Sequence, residues 1–301
     1  GSVPTLARAI LRQRGSPGTP LSPRANLSGM RLVHWAARLG VPWTLVMSCA
    51  SGYLTGAGFA PATDGAWRRA PMHDLLENVM GITEEGDIDA AITSFDDYSE
   101  SNGLGMNLGA EKGDVLEAAV RQALAERGDG SGPFAVLEVG AHFGDGTLRV
   151  VRALQSKGLQ GTVVSFEDNK AWASGCLALL RHVLQSGRRV HHESLVVKPG
   201  AVVQAAQAAL DHFKLKHFNV VLLDHDHRQY LEDLKGLVSI GAVAPGGIVH
   251  ADNAGRDARI LDKYLRYVQG EGPFETRFEE IRAPYPDRVA ISHYKPAERE
   301  L

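Results

Sequence analysis

After Gly130 the chain alternates short apolar runs, rich in β-branched residues, with stretches of helical periodicity, and this alternation constrains the fold most. Parallel strands joined by helices are covered on both faces of their sheet, so each strand reads as a continuous apolar run. The pattern predicts an α/β fold with a mostly parallel seven-stranded sheet, helices on both faces and a late antiparallel strand pair.

The element boundaries follow from the same hydrophobic periodicity. The predicted strands span residues 134–139, 161–167, 189–193, 219–223 and 247–250, with the antiparallel pair at 275–281 and 288–293. Helices are predicted between and after them at 147–156, 172–185, 201–212, 230–238 and 256–268. Three further helices, at 73–80, 88–102 and 112–127, are predicted before the first of these strands.

Composition excludes several classes of protein. A formal net charge of -3 gives no basic surface for nucleic acid, so we expect no nucleic-acid partner. The 44% of hydrophobic residues suffices for a packed core. Cys49 and Cys176 lie far apart in different kinds of segment, which argues against a disulfide framework and predicts two free thiols.

Residues 1–70 read as a separate N-terminal extension, and residues 71–301 as the folded domain. Arginines occur repeatedly before the first acidic residue, Asp64, as is typical of an organelle transit peptide. The uncharged run 39–60 could instead be a membrane anchor, or the extension could be accessory. We expect the folded domain to be cytoplasmic, with membrane association only through the extension.

A glycine-rich turn follows the first predicted strand of the α/β region. Gly140, Gly144 and Gly146 let the backbone approach a ligand closely, and the start of the next helix favours an anionic group. Glu167 ends the following strand, where a carboxylate can hold two ribose hydroxyls. The spacing departs from the dinucleotide pattern and favours S-adenosylmethionine, although turn glycines without a ligand remain an alternative.

Two later strands end in oxygen ligands. Asp224 follows one of them, and Asp252 and Asn253 follow the next. Because the carboxyl ends of parallel strands face one crevice, these side chains can converge beside the cofactor. Two carboxylates and an amide suit Mg2+ with room for two vicinal hydroxyls of an acceptor. A helix cap and an Asp-Asn turn are the alternatives.

These segments together resemble the catechol O-methyltransferases in order and approximate spacing, over about residues 75–294. The matching positions are 106–109 with 112–113, 137–141 with Gly144, Glu167, 223–225 with Tyr230, and 251–253. The resemblance implies a Rossmann-like methyltransferase fold. It also implies methyl transfer from S-adenosylmethionine to one hydroxyl of a small catechol-like diol, with Mg2+ as the metal.

The resemblance also assigns roles residue by residue. Leu108 would contact the methionine end, Gly146 would lie near its carboxylate, and Glu167 would bind the ribose. The other implied cofactor positions are Glu138, Gly140, Gly144, Asp168, Asp224 and His225. The implied metal ligands are Asp224, Asp252 and Asn253. The implied substrate contacts are Asn253 and Glu280.

Some positions depart from the family pattern. His227 replaces the family's lysine base. Its neutral imidazole can accept a proton near neutral pH, and a solvated histidine without a catalytic role is the alternative. Tryptophans that flank the family's aromatic substrate are replaced by Leu104 and Asp226. A methyltransferase with another acceptor, or a non-catalytic cofactor-binding or scaffold protein, therefore remains an alternative.

Overall fold

A computed structural model describes residues 58–63, 68, 73–127, 133–184 and 189–297, which belong to one compact unit. The strands are β1 (Phe59–Pro61), β2 (Phe134–Val139), β3 (Gly161–Glu167), β4 (Val190–Val197), β5 (Phe218–Leu223), β6 (Val243–Ala251), β7 (Phe274–Ile281) and β8 (Asp287–Tyr294). The helices are α1 (His73–Ile82), α2 (Ile88–Ser101), α3 (Gly109–Glu126), α4 (Asp145–Ser156), α5 (Lys170–Val183), α6 (Val202–Phe213), α7 (Tyr230–Ser239) and α8 (Asp262–Arg266).

All eight strands form one sheet in the order β1-β4-β3-β2-β5-β6-β8-β7. The five adjacent strands β4, β3, β2, β5 and β6 are parallel, and β8 runs antiparallel to both β6 and β7. The Rossmann-like α/β fold and the late antiparallel pair are therefore confirmed. Strands β2 and β5 are buried at every position, which explains their unbroken apolar sequence.

The sheet has one strand more than the seven predicted. Strand β1 is only three residues long and pairs antiparallel with β4, through Phe59 opposite Val197. It lies in the segment assigned to the N-terminal extension. A strand of three residues that includes Pro61 carries no alternation from which it could be recognised. The domain boundary at residue 70 itself stays a prediction.

The last predicted helix, 256–268, begins six residues too early and is not one α-helix, because a short π-helical segment, Tyr267–Glu271, follows α8. Helix α8 covers only Asp262–Arg266, and turns occupy the residues before it. The carboxylate of Asp287 accepts the backbone N–H groups of Gly255 and Arg256, at 3.1 and 2.7 Å, and holds this segment against β8 as a loop. Periodicity could not reveal this contact, because Asp287 is about 30 residues away in sequence.

Strand β2 lies between β3 and β5, where the order of the parallel strands reverses. A crevice forms at such a switch point, outside the carboxyl ends of the strands. Backbone hydrogen bonds continue across these ends, from Gly140 N to Phe166 O at 2.8 Å and from Asp224 N to Val139 O at 2.9 Å. The ends of β2, β3 and β5 are thus held rigidly beside one another.

None of the helices among the described residues is long and apolar enough to cross a membrane. The predicted targeting or anchor segment lies outside the described residues, apart from residues 58–60 at the start of β1. Cys176 is a buried free thiol, and Cys49 lies outside the described residues.

Candidate active site

A cavity of about 880 Å³ opens at the carboxyl ends of the parallel strands. We call the part formed by the ends of β2, β3, β5 and β6 and by the first turn of α5 the strand side. The predicted residues that line it are Gly140, Glu167, Asp168, Asp224, Asp252 and Asn253. We call the part formed by the loops after α2, β5, β6 and β7 the loop side. Its residues include Leu104, Met106, Asp226, His227, Arg256 and Tyr285.

Leu108 and His225 also line the cavity, so most of the residues predicted from the sequence come together. Glu138, Gly144 and Gly146 do not reach the lining and lie behind the glycine turn. Glu280 is an exposed residue of β7, opposite Arg288, and is likewise outside the cavity.

The chain segments that follow β2 and β5 lie close together at Gly140. Its φ of +97° is in the left-handed region, and a Cβ there would lie 2.1 Å from the carbonyl oxygen of Asp224. No side chain fits that space, and non-glycine residues rarely adopt this conformation. Gly140 therefore lets the chain turn while Asp224 stays close to the end of β2.

Glu138, near the end of β2, is hydrogen-bonded to the start of α4 and to β3, on either side of the glycine turn. Its side chain is buried, and the hydroxyls of Thr147 and Ser165 both donate to the same carboxylate oxygen, that of Ser165 at 2.8 Å. Burial raises the pKa of Glu138 to about 7, against the lowering effect of these hydrogen bonds. Gly146 leaves room for this carboxylate, because a Cβ there would lie 2.4 Å from Glu138 Oε1.

Gly144 precedes α4 with a φ of +98° and packs against α5. A Cβ there would lie 3.0 Å from the sulfur of Cys176, and its N–H donates to Ala141 O at 2.7 Å. Gly144 thus closes the turn through its backbone and packs the start of α4 onto α5.

Glu167 ends β3 and ties the glycine turn to the next helix. One carboxylate oxygen accepts the N–H of His142 at 2.8 Å, and the other accepts the N–H of Asn169 at 2.9 Å. Burial raises the pKa of Glu167 to about 7. Each oxygen retains a lone pair that can accept a hydroxyl hydrogen, which is what recognition of a ribose requires.

Aromatic rings line the cavity next to Glu167, and the sequence reasoning missed them. The imidazole of His142 lies edge-on to Trp172, with ring centroids 4.5 Å apart, and both residues line the cavity. Burial lowers the pKa of His142 to about 4, so the ring is neutral at physiological pH. The signal that could have found Trp172 is its position in the first turn of the helix that follows Glu167.

The N-terminus of α3 is fixed to α4 by a chain of charged groups. Asp145 accepts the N–H of Gly109 at 3.2 Å and the Nε–H of Arg149 at 2.9 Å, and Arg149 also donates to Asp96. Gly113 leaves space for the buried guanidinium, because a Cβ there would lie 2.3 Å from Arg149. These contacts hold the turn before α3, including Leu108, at the edge of the cavity.

Lys112 connects the proposed metal ligands. Its ammonium donates to Asp252 at 3.0 Å, to Asn253 Oδ1 at 3.0 Å and to Asp287 at 2.8 Å. Burial alone would lower the pKa of Lys112, but the two carboxylates outweigh it and the pKa is raised. Asn253 adopts a left-handed φ of +58°, a conformation that asparagine tolerates better than most residues. Lys112 was identified in the sequence only as part of a matching segment, without a role.

Negative charge exceeds positive charge where β5 and β6 end. Burial, and after it the charge of Asp252, raises the pKa of Asp224 well above its ordinary value. Burial also raises the pKa of Asp252, although Lys112 opposes this. When ionised, Asp224, Asp252 and Asp287 carry three negative charges and Lys112 compensates one of them. The remaining charge of two matches a divalent cation.

The two histidines after β5 differ in their partners. His225 Nε2 lies 2.8 Å from an oxygen of Asp233, and its ring stacks on Tyr230. His227 lies on the loop side, with Nδ1 3.4 Å from Asp257 and Nε2 3.2 Å from the Asn253 amide nitrogen. His227 is therefore held next to the proposed metal ligands rather than solvated.

Comparison with known proteins agrees with this geometry. Residues 137–254 match a family described as a methyltransferase domain. The chain is 32% identical over 197 residues to a protein named probable O-methyltransferase from Mycobacterium tuberculosis, covering 65% of this chain and 78% of that one. It is 26% identical to catechol O-methyltransferase B of Danio rerio, over 74% of this chain and 78% of that one. It is 27% identical to catechol O-methyltransferase of Bos taurus, over 67% of each chain.

The matches agree with the site because the methyltransferase match runs from β2 to the turn after β6, the strands whose ends form the strand side. They favour an enzyme over a non-catalytic cofactor-binding protein. The chain belongs to the catechol O-methyltransferase-like family and is an S-adenosylmethionine-dependent O-methyltransferase.

Proposed function

We propose that the enzyme transfers the methyl group of S-adenosylmethionine, with Mg2+, to one hydroxyl of a catechol-like vicinal diol. The observation that carries this proposal is the pair of carboxylates Asp224 and Asp252 with Asn253 at neighbouring strand ends of one cavity. The names of the two relatives that are catechol O-methyltransferases support the acceptor class.

Residues of the strand side are suited to hold the cofactor. Glu167 accepts the ribose hydroxyls, and His142 and Trp172 provide apolar ring surface for the adenine near Asp168. The turn at Leu108 contacts the methionine end. Glu138, Gly144 and Gly146 act indirectly, by holding the glycine turn in place from behind. Glu280 is not part of this proposal, because it lies outside the cavity.

The residues fit Mg2+ on two grounds. Asp224, Asp252 and Asn253 offer hard oxygen donors, and burial together with the charge of Asp252 raises the pKa of Asp224, a cost of ionisation that a bound cation offsets. When bound, Mg2+ supplies Lewis acidity and orientation to the two acceptor oxygens. Lys112 holds Asp252 and Asn253 in place from the side of Asp287.

His227 is the proposed general base. Asp257 lies next to its Nδ1, an arrangement that orients the ring, and Nε2 is directed toward Asn253. Its position beside the proposed acceptor oxygens allows it to take the hydroxyl proton as the oxygen attacks the methyl carbon. The sulfonium loses the methyl group, and the neutral thioether leaves.

A second candidate is the same transfer to an acceptor that is not a catechol. The observation in its favour is that Leu104 and Asp226 lie on the loop side of the cavity, at positions where the family resemblance implies tryptophans. A smaller apolar residue and a charged residue give a flat aromatic acceptor less ring surface than two tryptophans do.

The test is methyl transfer from labelled S-adenosylmethionine to a panel of catechols and simple phenols, with Mg2+ and with a chelator. We expect transfer to catechols that the chelator abolishes and that added Mg2+ restores. Transfer that survives the chelator contradicts the metal, and transfer to phenols but not to catechols supports the second candidate. Calorimetry with S-adenosylmethionine checks separately that the protein is folded and binds the cofactor.

A further inference from the structure

The loop side of the cavity presents exposed apolar surface. Met106 is 59% exposed and Tyr285 is 41% exposed, and both line the cavity. Exposing a large apolar side chain to water costs free energy. Exposed apolar side chains beside a cavity therefore favour the binding of an apolar group. The hydroxyl of Tyr285 lies over Gly105, where an added Cβ would be 3.1 Å away. The ring of Tyr285 therefore forms a wall of the cavity close to the loop that carries Met106.

Charged groups on the loop side are paired, with one exception. Arg228 neutralises Asp226 at 2.6 Å, and His227 lies 3.4 Å from Asp257. Arg256 lines the cavity and makes no ion pair with any residue in the described part of the chain. Its guanidinium instead lies over the ring of Tyr285, 5.1 Å from the centroid.

A cation–π contact of this kind needs no hydrogen bond, so the N–H donors of the guanidinium stay available. Those donors form a fork that matches the two oxygens of a carboxylate. An arginine that lies over a ring and has no ion pair can therefore bind an anionic group of a ligand. The contact with the ring already restricts the arginine side chain, so binding costs less conformational entropy.

The backbone of Arg256 is held in place. Its N–H and that of Gly255 both donate to one oxygen of Asp287, at 2.7 and 3.1 Å. Arg256 follows Asn253 by three residues, a distance of at most about 11 Å along an extended chain. The guanidinium and the proposed diol-binding group Asn253 therefore lie on one loop that faces the same cavity.

We propose that the natural acceptor is an aromatic diol that carries a carboxylate, that Arg256 binds this carboxylate, and that Tyr285 and Met106 contact the ring. The inference rests on the proposed function, to which it adds the substrate class and a specificity-determining residue. Arg256 does not touch the reacting oxygens, so its removal weakens acceptor binding more than the chemical step.

The experiment compares acceptors that differ only in charge. Protocatechuate and caffeate each carry a carboxylate at a different distance from the diol, and the primary amide of each is uncharged. Values of kcat and KM are measured for all four with the wild-type enzyme and with Arg256→Gln and Arg256→Lys. Arg259→Gln is the control, because Arg259 lies on the same loop, is exposed and is outside the cavity lining.

We expect the wild type to prefer the acid of at least one pair, and Arg256→Gln to raise KM for that acid by about tenfold. The amide of the pair should change by less than about twofold, Arg256→Lys should retain part of the preference, and Arg259→Gln should leave it unchanged. A wild-type enzyme that methylates acids and amides equally, or an Arg256→Gln effect equal for both, overturns the inference alone. No transfer to any of the four overturns the proposed function as well.

Discussion

On the strand side of the cavity the functional groups belong to buried strand ends, whereas on the loop side they belong to exposed loops. Glu138 and Glu167 are 1% and 7% exposed, and each is fixed by two hydrogen bonds. Met106 and Tyr285 are 59% and 41% exposed. The strand side is therefore rigid and the loop side is free to vary.

This difference shows how one fold can keep its cofactor and change its acceptor. A larger side chain on the strand side disturbs the sheet, because Gly140 packs against the backbone of Asp224 and Gly146 packs against the buried carboxylate of Glu138. On the loop side, replacing an exposed side chain such as that of Met106 causes no such clash. The departures from the family pattern, Leu104 and Asp226, both lie on the loop side.

The largest effect is expected for Gly140→Ala, which tests the rigidity of the strand side. The new Cβ would lie 2.1 Å from Asp224 O at a φ of +97°, so we expect a loss of about 4 kcal/mol in the free energy of unfolding and no measurable cofactor binding. Gly158→Ala is the control, with a φ of +62° and no atom within 4 Å, and should cost about 1 kcal/mol. Denaturant unfolding and calorimetry measure both. Equal losses in the two variants would show that the close approach is unimportant.

Asp224→Asn tests the proposed metal site on the strand side, next to the loop side. Loss of this proposed metal ligand should lower turnover by about 10³-fold, while far-ultraviolet circular dichroism stays unchanged. Because burial and, after it, the charge of Asp252 disfavour ionised Asp224, the metal-free variant should unfold at the same temperature as the wild type or higher. Added Mg2+ should raise the unfolding temperature of the wild type only. Asp262→Asn, at an exposed ion pair with Arg266, is the control. A variant that still responds to Mg2+ contradicts the metal assignment.

Glu138→Gln tests burial on the strand side through pH. Between the ordinary pKa of 4.5 and the raised value of about 7, folded Glu138 keeps a proton that the unfolded chain has lost. The free energy of unfolding of the wild type therefore falls as pH rises through this window, relative to a variant that does not titrate there. The advantage of Glu138→Gln should grow from near zero at pH 4.5 to about 3 kcal/mol above pH 7. An advantage independent of pH would exclude the raised pKa as its cause.

The smallest effect is expected for His227→Ala, on the loop side. Loss of a general base should lower kcat by about 100-fold near neutral pH, with little change in stability because the side chain is only partly buried. The loss should shrink as pH rises, because more of the acceptor ionises without help. His217→Ala, a partly buried histidine outside the cavity, should leave kcat unchanged. A loss that is constant across pH supports a role in orienting Asn253 instead.

Much of the strand side could be predicted from the sequence. The bounds of β2 and β3 agree with the prediction at both ends, because buried parallel strands give unbroken apolar runs between turns. Asp224, Asp252 and Asn253 could be placed together because the ends of parallel strands share an edge. The glycine turn was evident, but whether each glycine lines the cavity or supports it from behind was not.

The loop side was harder to predict, because its contacts join residues far apart in sequence. Asp287 shortens the last helix through the N–H groups of Gly255 and Arg256, and no local pattern indicates that capture. Glu280 was placed by resemblance near the acceptor, yet in the paired strands β7 and β8 it is exposed and lies outside the cavity. No sequence pattern indicates a role for Arg256, and its contact with Tyr285 is evident only in the folded chain.

The sequence by itself determined the fold class, the glycine turn and the oxygen-bearing side chains at the strand ends, because hydrophobic periodicity and strand-end position are local properties that a fold preserves. Only the tertiary structure decided how the charges around these groups are compensated. Lys112, distant in sequence from each of its three partners, sets the charge at the strand ends. The same holds for Arg256 and Tyr285, since the availability of a charged group depends on which neighbours reach it in the folded chain.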